Sequence, residues 1–117
     1  MMSTAEELMI TYRPDGKKGI AMTRRQYDIL SLFILTLLET DDDQTLQTIL
    51  DRAQNELIDA IDSDVAWFVL QVKLDLEARD FIRTVQAPYN RRVCLLSITR
   101  AGQRKLRADR SLADLSR

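Results

Sequence analysis

Histidine is absent from the 117 residues. That removes the commonest general base, the commonest metal ligand and the usual activator of a nucleophile. Carboxylate-only chemistry stays open in principle, but no spacing arranges it, so the chain reads as a non-enzyme without cofactor or metal. Cysteine occurs once, as Cys94. No internal disulfide can form, which suits a reducing compartment, and within an apolar strand Cys94 reads as a small core hydrophobe. No apolar run is long enough to span a bilayer, and neither a secretory n-region nor a lipidation signal is present. The expectation is a cytoplasmic protein with no membrane partner. Three consecutive aspartates, Asp41 to Asp43, lack the alternating ligands and central glycine of a calcium loop. They read instead as the cap of a helix.

What is present is ordinary for one soluble globular domain with a modest core: 45% apolar and 30% charged residues. The net charge of −1 hides an asymmetry. Residues 1–82 hold 8 Lys/Arg against 16 Asp/Glu, and residues 83–117 hold 9 Lys/Arg against 2 Asp. Such a split points to an anionic partner for one end of the fold, either nucleic acid or the acidic end of another copy.

Along the chain, residues 1–22 form either a loose hairpin or an arm that orders on a partner, with Met1 to Glu7 disordered. The turn signal is Arg13-Pro14-Asp15-Gly16. Thr23-Arg24-Arg25-Gln26 is a capping box. The helix it opens carries Tyr27, Leu30, Phe33, Ile34, Leu37 and Leu38 on one face and ends near Glu39 or Thr40. A second helix follows the aspartates, with Leu46, Ile49, Leu50, Ala53, Leu57 and Ile61 aligned. A third opens at Asp62 or Ser63 and runs to about Arg79, with Val65, Phe68 or Val69, Val72 and Leu76 facing inward. Phe81 to Ala87 reads as a strand, Pro88-Tyr89-Asn90 as a turn and Val93 to Ile98 as the return strand. Thr99 caps a last helix from Arg100 to about Arg110.

From Leu76 to Leu106 the order is therefore helix, β-hairpin, helix. Leu76-Glu77, Phe81-Ile82, and Ile98-Thr99 with Gly102 and Leu106 resemble the winged helix-turn-helix regulators, and among them the PadR-like transcription factors, over roughly residues 24 to 110. The resemblance implies an α+β winged helix-turn-helix fold over residues 23–117: a three-helix core, a two-stranded β-wing and a C-terminal helix. It also implies a transcriptional regulator that binds double-stranded DNA as a homodimer.

In such a fold the third helix enters the major groove. Here its outward residues include only two usual base readers, Gln71 and Lys73. Trp67, Leu70 and Leu74 make an apolar stripe instead, which is either core covered by another element or an interface for a second copy or a protein partner. From Glu39 through Asp80 there are 12 acids against 3 bases, a balance that repels phosphates. The better candidates for DNA contact are Tyr89, Asn90, Arg91 and Arg92 at the wing tip, where arginine reaches phosphates or a minor groove. Charge at a hairpin tip also protects a sheet edge. Two functions follow: a regulator that grips DNA by its wing, or a winged-helix interaction module that has lost groove recognition.

Overall fold

The computed structural model describes residues 7–41, 44–61 and 64–115. The expected disorder over residues 1–6, the capping by Asp42 and Asp43, and the helix start at Asp62 or Ser63 lie outside these residues; Glu7, also expected to be disordered, is placed, its carbonyl accepting from Arg24 N–H at 2.7 Å. Over the described residues the chain is an α+β domain of four helices and two small antiparallel sheets.

Strands β1 (Leu8–Tyr12) and β2 (Lys18–Thr23) form the N-terminal hairpin. Its turn closes through Gly16 N–H to the Arg13 carbonyl at 2.9 Å, with Gly16 at φ 85°, a conformation that favours glycine. Of the two readings for this segment, the hairpin is the one observed. The buried Thr11 hydroxyl explains its order: Oγ1 accepts from Ile20 N–H at 2.9 Å and donates to the Ile20 carbonyl at 3.2 Å. Met22 on the same hairpin is buried in the common core.

Helix α1 (Arg24–Thr40) begins where the capping box predicts. Thr23 Oγ1 accepts from Gln26 N–H at 3.1 Å. Its buried side chains are Tyr27, Leu30, Ser31, Ile34, Leu35, Leu37 and Leu38. Leu35 thus takes a place assigned by periodicity to Phe33, which is half-buried. The reason is that α1 is touched from several sides, by α2 to α4 and by strands of both sheets, so its apolar surface is wider than one stripe.

A two-residue strand, β3 (Gln44–Thr45), follows and pairs with the last strand of the chain. This corrects two expectations. The sheet has three strands rather than two, and the residue capping α2 (Leu46–Glu56) is Thr45, whose Oγ1 accepts from Thr48 N–H at 3.1 Å. Asp41 instead closes α1, its N–H bonded to the Leu37 carbonyl. Helix α2 also ends earlier than predicted. Ile61 still reaches the core, but from an irregular segment.

Helix α3 (Val65–Ala78) is capped by Asp64, which accepts from Trp67 N–H. It ends in a Schellman motif. Phe81 N–H bonds the Leu76 carbonyl, Asp80 N–H bonds the Glu77 carbonyl, and Asp80 takes φ 63°. The chain turns here into β4 (Ile82–Ala87), which pairs with β5 (Asn90–Ile98), giving the sheet order β3-β5-β4. Ile82 and Leu96 fill the inner face.

Helix α4 (Arg100–Leu115) starts on Thr99. The Thr99 hydroxyl accepts from Gly102 N–H at 3.0 Å and donates to the Asp80 carbonyl at 2.6 Å. One side chain thus joins the start of α4 to the end of α3. Gly102 sits against the Phe81 carbonyl with no room for a Cβ, and Leu106 one turn on is fully buried.

Candidate nucleic-acid interface

The tip of the β4–β5 hairpin is the two-residue turn Pro88-Tyr89. Register is regular from Ile82 opposite Ile98 to Gln86 opposite Cys94, and then jumps so that Ala87 faces Asn90. Arg91, Arg92 and Val93 consequently have no partner on β4, forming a bulge in β5. Asn90 fixes its start, its side-chain oxygen accepting from Arg92 N–H at 2.9 Å. That bond uses the Asn90 side-chain carbonyl locally, so Asn90 shapes the tip. The bulge was not legible from the alternation of the strand. The Asn-x-Arg step that makes an Asx-type turn is the one local signal for it.

Tyr89 is 74% exposed, and Arg91 and Arg92 are exposed beside it. Neither arginine is paired with a carboxylate among the described residues. Arg92 lines a groove of about 310 Å³ against Thr45, Leu46, Gln47 and Leu50 at the start of α2. The hairpin therefore leans on the body of the domain, and Cys94, half-buried, lines the same groove.

The two base readers expected on α3 are less available. Lys73 has only 12% of its side chain exposed and is ion-paired with Glu77 one turn on. Gln71 is half-buried. On the outward face Trp67 is 43% exposed, with its ring edge-on to Phe68 at 5.1 Å between centroids. Leu70 and Leu74 are half-buried, and neither packs into the core. At the start of α1, Arg24 lies 4.0 Å from Glu7, an exposed contact of little energetic weight.

The acidic count over α2 and α3 also changes in three dimensions. Asp75, which in the sequence appears as one more surface acid, is fully buried. Its Oδ1 accepts from the Tyr27 hydroxyl at 2.6 Å and from Arg79 Nε at 2.7 Å, and its Oδ2 accepts from Tyr12 N–H at 2.8 Å. Arg79 lies over the Tyr12 ring, 5.1 Å from the centroid. The carboxylate so joins β1, α1 and α3. Burial, and then the bond to Asp75, pushes the Tyr27 hydroxyl far above its ordinary pKa. The same carboxylate holds the Arg79 guanidinium more firmly protonated. One sequence signal was present: Asp75 falls between Val72 and Leu76 on the inward face, with Arg79 at i+4. Glu39 is likewise bound, to Arg110 at 2.9 Å. Among the described residues no cluster of His, Cys, Asp and Glu has the geometry to hold a metal ion, and no helix is long and apolar enough to cross a membrane.

The fold and surface define a small α+β domain with an arginine-bearing hairpin. The chain belongs to a family of unknown function, DUF6958, whose model matches residues 9–92. The match runs from within β1 to Arg92 in the bulge of β5, so the N-terminal hairpin lies in the family's common segment and α4 lies beyond it. No curated protein and no solved structure matches the chain.

Proposed function

We propose that this chain is a winged-helix DNA-binding regulator of PadR-like type that holds duplex DNA by its wing rather than by α3. It acts in this reading as a cytoplasmic homodimer. Three helices, an antiparallel hairpin and a last helix follow one another in the order the resemblance implies. The observation that carries the proposal is the bulge: Arg91 and Arg92 are lifted out of the β4–β5 ladder, exposed beside Tyr89, and left without carboxylate partners among the described residues. Arginine in that setting clamps phosphates bidentately. Lys73 is held by Glu77 and the centre of the outward α3 face is apolar, so sequence readout by that helix is weak in this reading.

Binding to random-sequence duplex should be measurable at low salt and fall steeply as salt rises. Replacing Arg91 and Arg92 together by alanine should lower the salt slope by roughly 2, since each phosphate neutralised by the protein accounts for about 0.9. A double mutant with parental affinity and slope would remove the wing from the DNA contact.

The exposure of Trp67 favours a second reading, an interaction module that pairs through α3. Trp67→Asp should then lower the sedimentation mass while leaving the far-ultraviolet circular dichroism unchanged. An unchanged mass would exclude pairing through this stripe.

A further inference from the structure

Beyond the wing, we infer that the outer face of α4 is a second phosphate-backbone contact, a row of arginines that extends the DNA footprint past the hairpin. The inference rests on the reading of the wing as a DNA contact, but its evidence is separate. Arg100, Arg104 and Arg107 are spaced i, i+4 and i+7, so they share one helix face. All three are exposed. The opposite side of the helix carries Gly102 and Leu106 into the core. The row therefore lies on the solvent side of the helix.

Charge on α4 is partitioned by face. Toward the body, Lys105 pairs with Asp109 at 2.9 Å and Arg110 with Glu39 at 2.9 Å. On the outer face, none of the three arginines has a carboxylate partner among the described residues. Along the row, the neighbour at i+4 or i+3 is another arginine, and like charges at these spacings destabilise a helix. Arg100 is also the first residue of α4, where the macrodipole presents its positive end and disfavours a cation. A fourth cation adds to the strain: Arg83 on β4 lines the same hollow as Arg100, together with Ser97 and Thr99. Three helical guanidinium groups are thus set against two local electrostatic rules, with a fourth beside the first of them. A local rule broken without compensation inside the fold marks a surface shaped for a partner.

The chemistry of the row selects a polyanion with a regular phosphate backbone. All four cations are arginine, which binds phosphate by a planar two-point contact that lysine cannot make. Beside them Gln103 and Ser111 are exposed and polar and Ala108 is small, and the one large exposed apolar side chain of α4, Leu112, lies about a third of a turn round from the row, short of the apolar face that a lipid surface takes up. Arg100 to Arg107 covers about 10 Å of helix axis at 1.5 Å per residue, the length of a few phosphates along one strand.

The test uses the full chain and a fluorescently labelled random-sequence duplex of about 20 base pairs, long enough for a contact to several phosphates. Affinity is followed from about 50 to 200 mM salt, with thermal melting of the free protein in parallel. The triple substitution Arg100→Gln, Arg104→Gln, Arg107→Gln should reduce the slope of log affinity against log salt by roughly 2 to 3, at about 0.9 for each phosphate no longer neutralised. It should weaken binding at least tenfold at the lowest salt, while the melting temperature stays equal or rises. Removing self-repulsion stabilises the free helix, and a merely structural role would move melting the other way. A triple mutant that binds duplex like the parent, while the Arg91/Arg92 mutant is impaired, would overturn the row and leave the wing standing. A parent that binds no duplex would overturn both. The row would also fall if its loss abolished binding to phosphatidylserine vesicles but not to duplex, or changed the sedimentation mass instead.

Discussion

Asp75→Ala should lower the free energy of unfolding by about 3 kcal/mol, the lower end of what breaking a buried ion pair costs. The lower end applies because Arg79 keeps 36% of its side chain exposed and can turn to water. The rest of the loss falls on the Tyr27 hydroxyl, which cannot: it sits on a residue 3% exposed and loses its acceptor, and an orphaned buried donor costs about 1–3 kcal/mol. The Tyr12 N–H, on a residue 44% exposed, loses its acceptor as well. Urea unfolding followed by circular dichroism would read the change as a lower midpoint. Asp75→Asn should cost less, because its single amide oxygen can still serve one side of the former carboxylate. A parental midpoint for the alanine variant would mean that the carboxylate does not join β1, α1 and α3. Alkaline pH offers a companion measurement. The Tyr27 pKa is raised on folding, so its contribution is complete below the unfolded value of about 10. Above that, the unfolded chain releases a proton that the folded one keeps. Stability should then fall by about 1.4 kcal/mol per pH unit from this group alone. Tyr27→Phe should remove that component of the alkaline limb.

The same carboxylate shows where a one-dimensional reading stops. Counting charges treats every acid as solvated. Asp75 and Arg79 both lie in the counted stretch from Glu39 to Asp80, so their pairing leaves its balance unchanged, whereas Glu39 is compensated from outside it by Arg110, 71 residues away. Local chemistry was readable: the Thr23 cap, the turn at Gly16, the Thr99 cap and the helix–hairpin–helix order each depend on residues within a few positions of one another. Pairing over distance was not. Strand β3 is two polar residues whose strand character comes from β5, so no propensity could announce it. Whether the first 22 residues form an arm or a hairpin is decided by Thr11 and by the Tyr12 bond to Asp75, 63 residues away. For the candidate interface, the arginines were legible by position. Their lift out of the ladder was not, because register at a bulge belongs to the pair of strands and not to either sequence.

Gly102→Ala should lower the melting temperature by roughly 10 °C, taking a net loss of about 2–3 kcal/mol and the usual few degrees per kcal/mol for a domain of this size. On helix propensity alone the substitution should stabilise, by about 0.5–1 kcal/mol. Packing reverses the sign. A Cβ at this position would overlap the Phe81 carbonyl oxygen and crowd Ile98 Cγ1. The carbonyl cannot easily retreat, since it accepts from Thr99 N–H at 3.1 Å, and Thr99 in turn caps α4 and holds the Asp80 carbonyl. Moving α4 outward instead would uncover Leu106, now fully buried, at about 1.5–3 kcal/mol for complete exposure of such a side chain. Gln103→Ala, one residue along and facing solvent, is the control, and it should leave stability within about 1 kcal/mol of the parent because Ala is the better helix former. The consequence reaches the proposed DNA surface. Arg83 and Arg100 meet across the joint that Gly102 keeps tight, so a displaced α4 should also separate the row from the wing and weaken duplex binding at temperatures where the variant is still folded. A Gly102→Ala protein that melts with the parent would show that α4 does not pack on Phe81, and the placement of the arginine row would go with it.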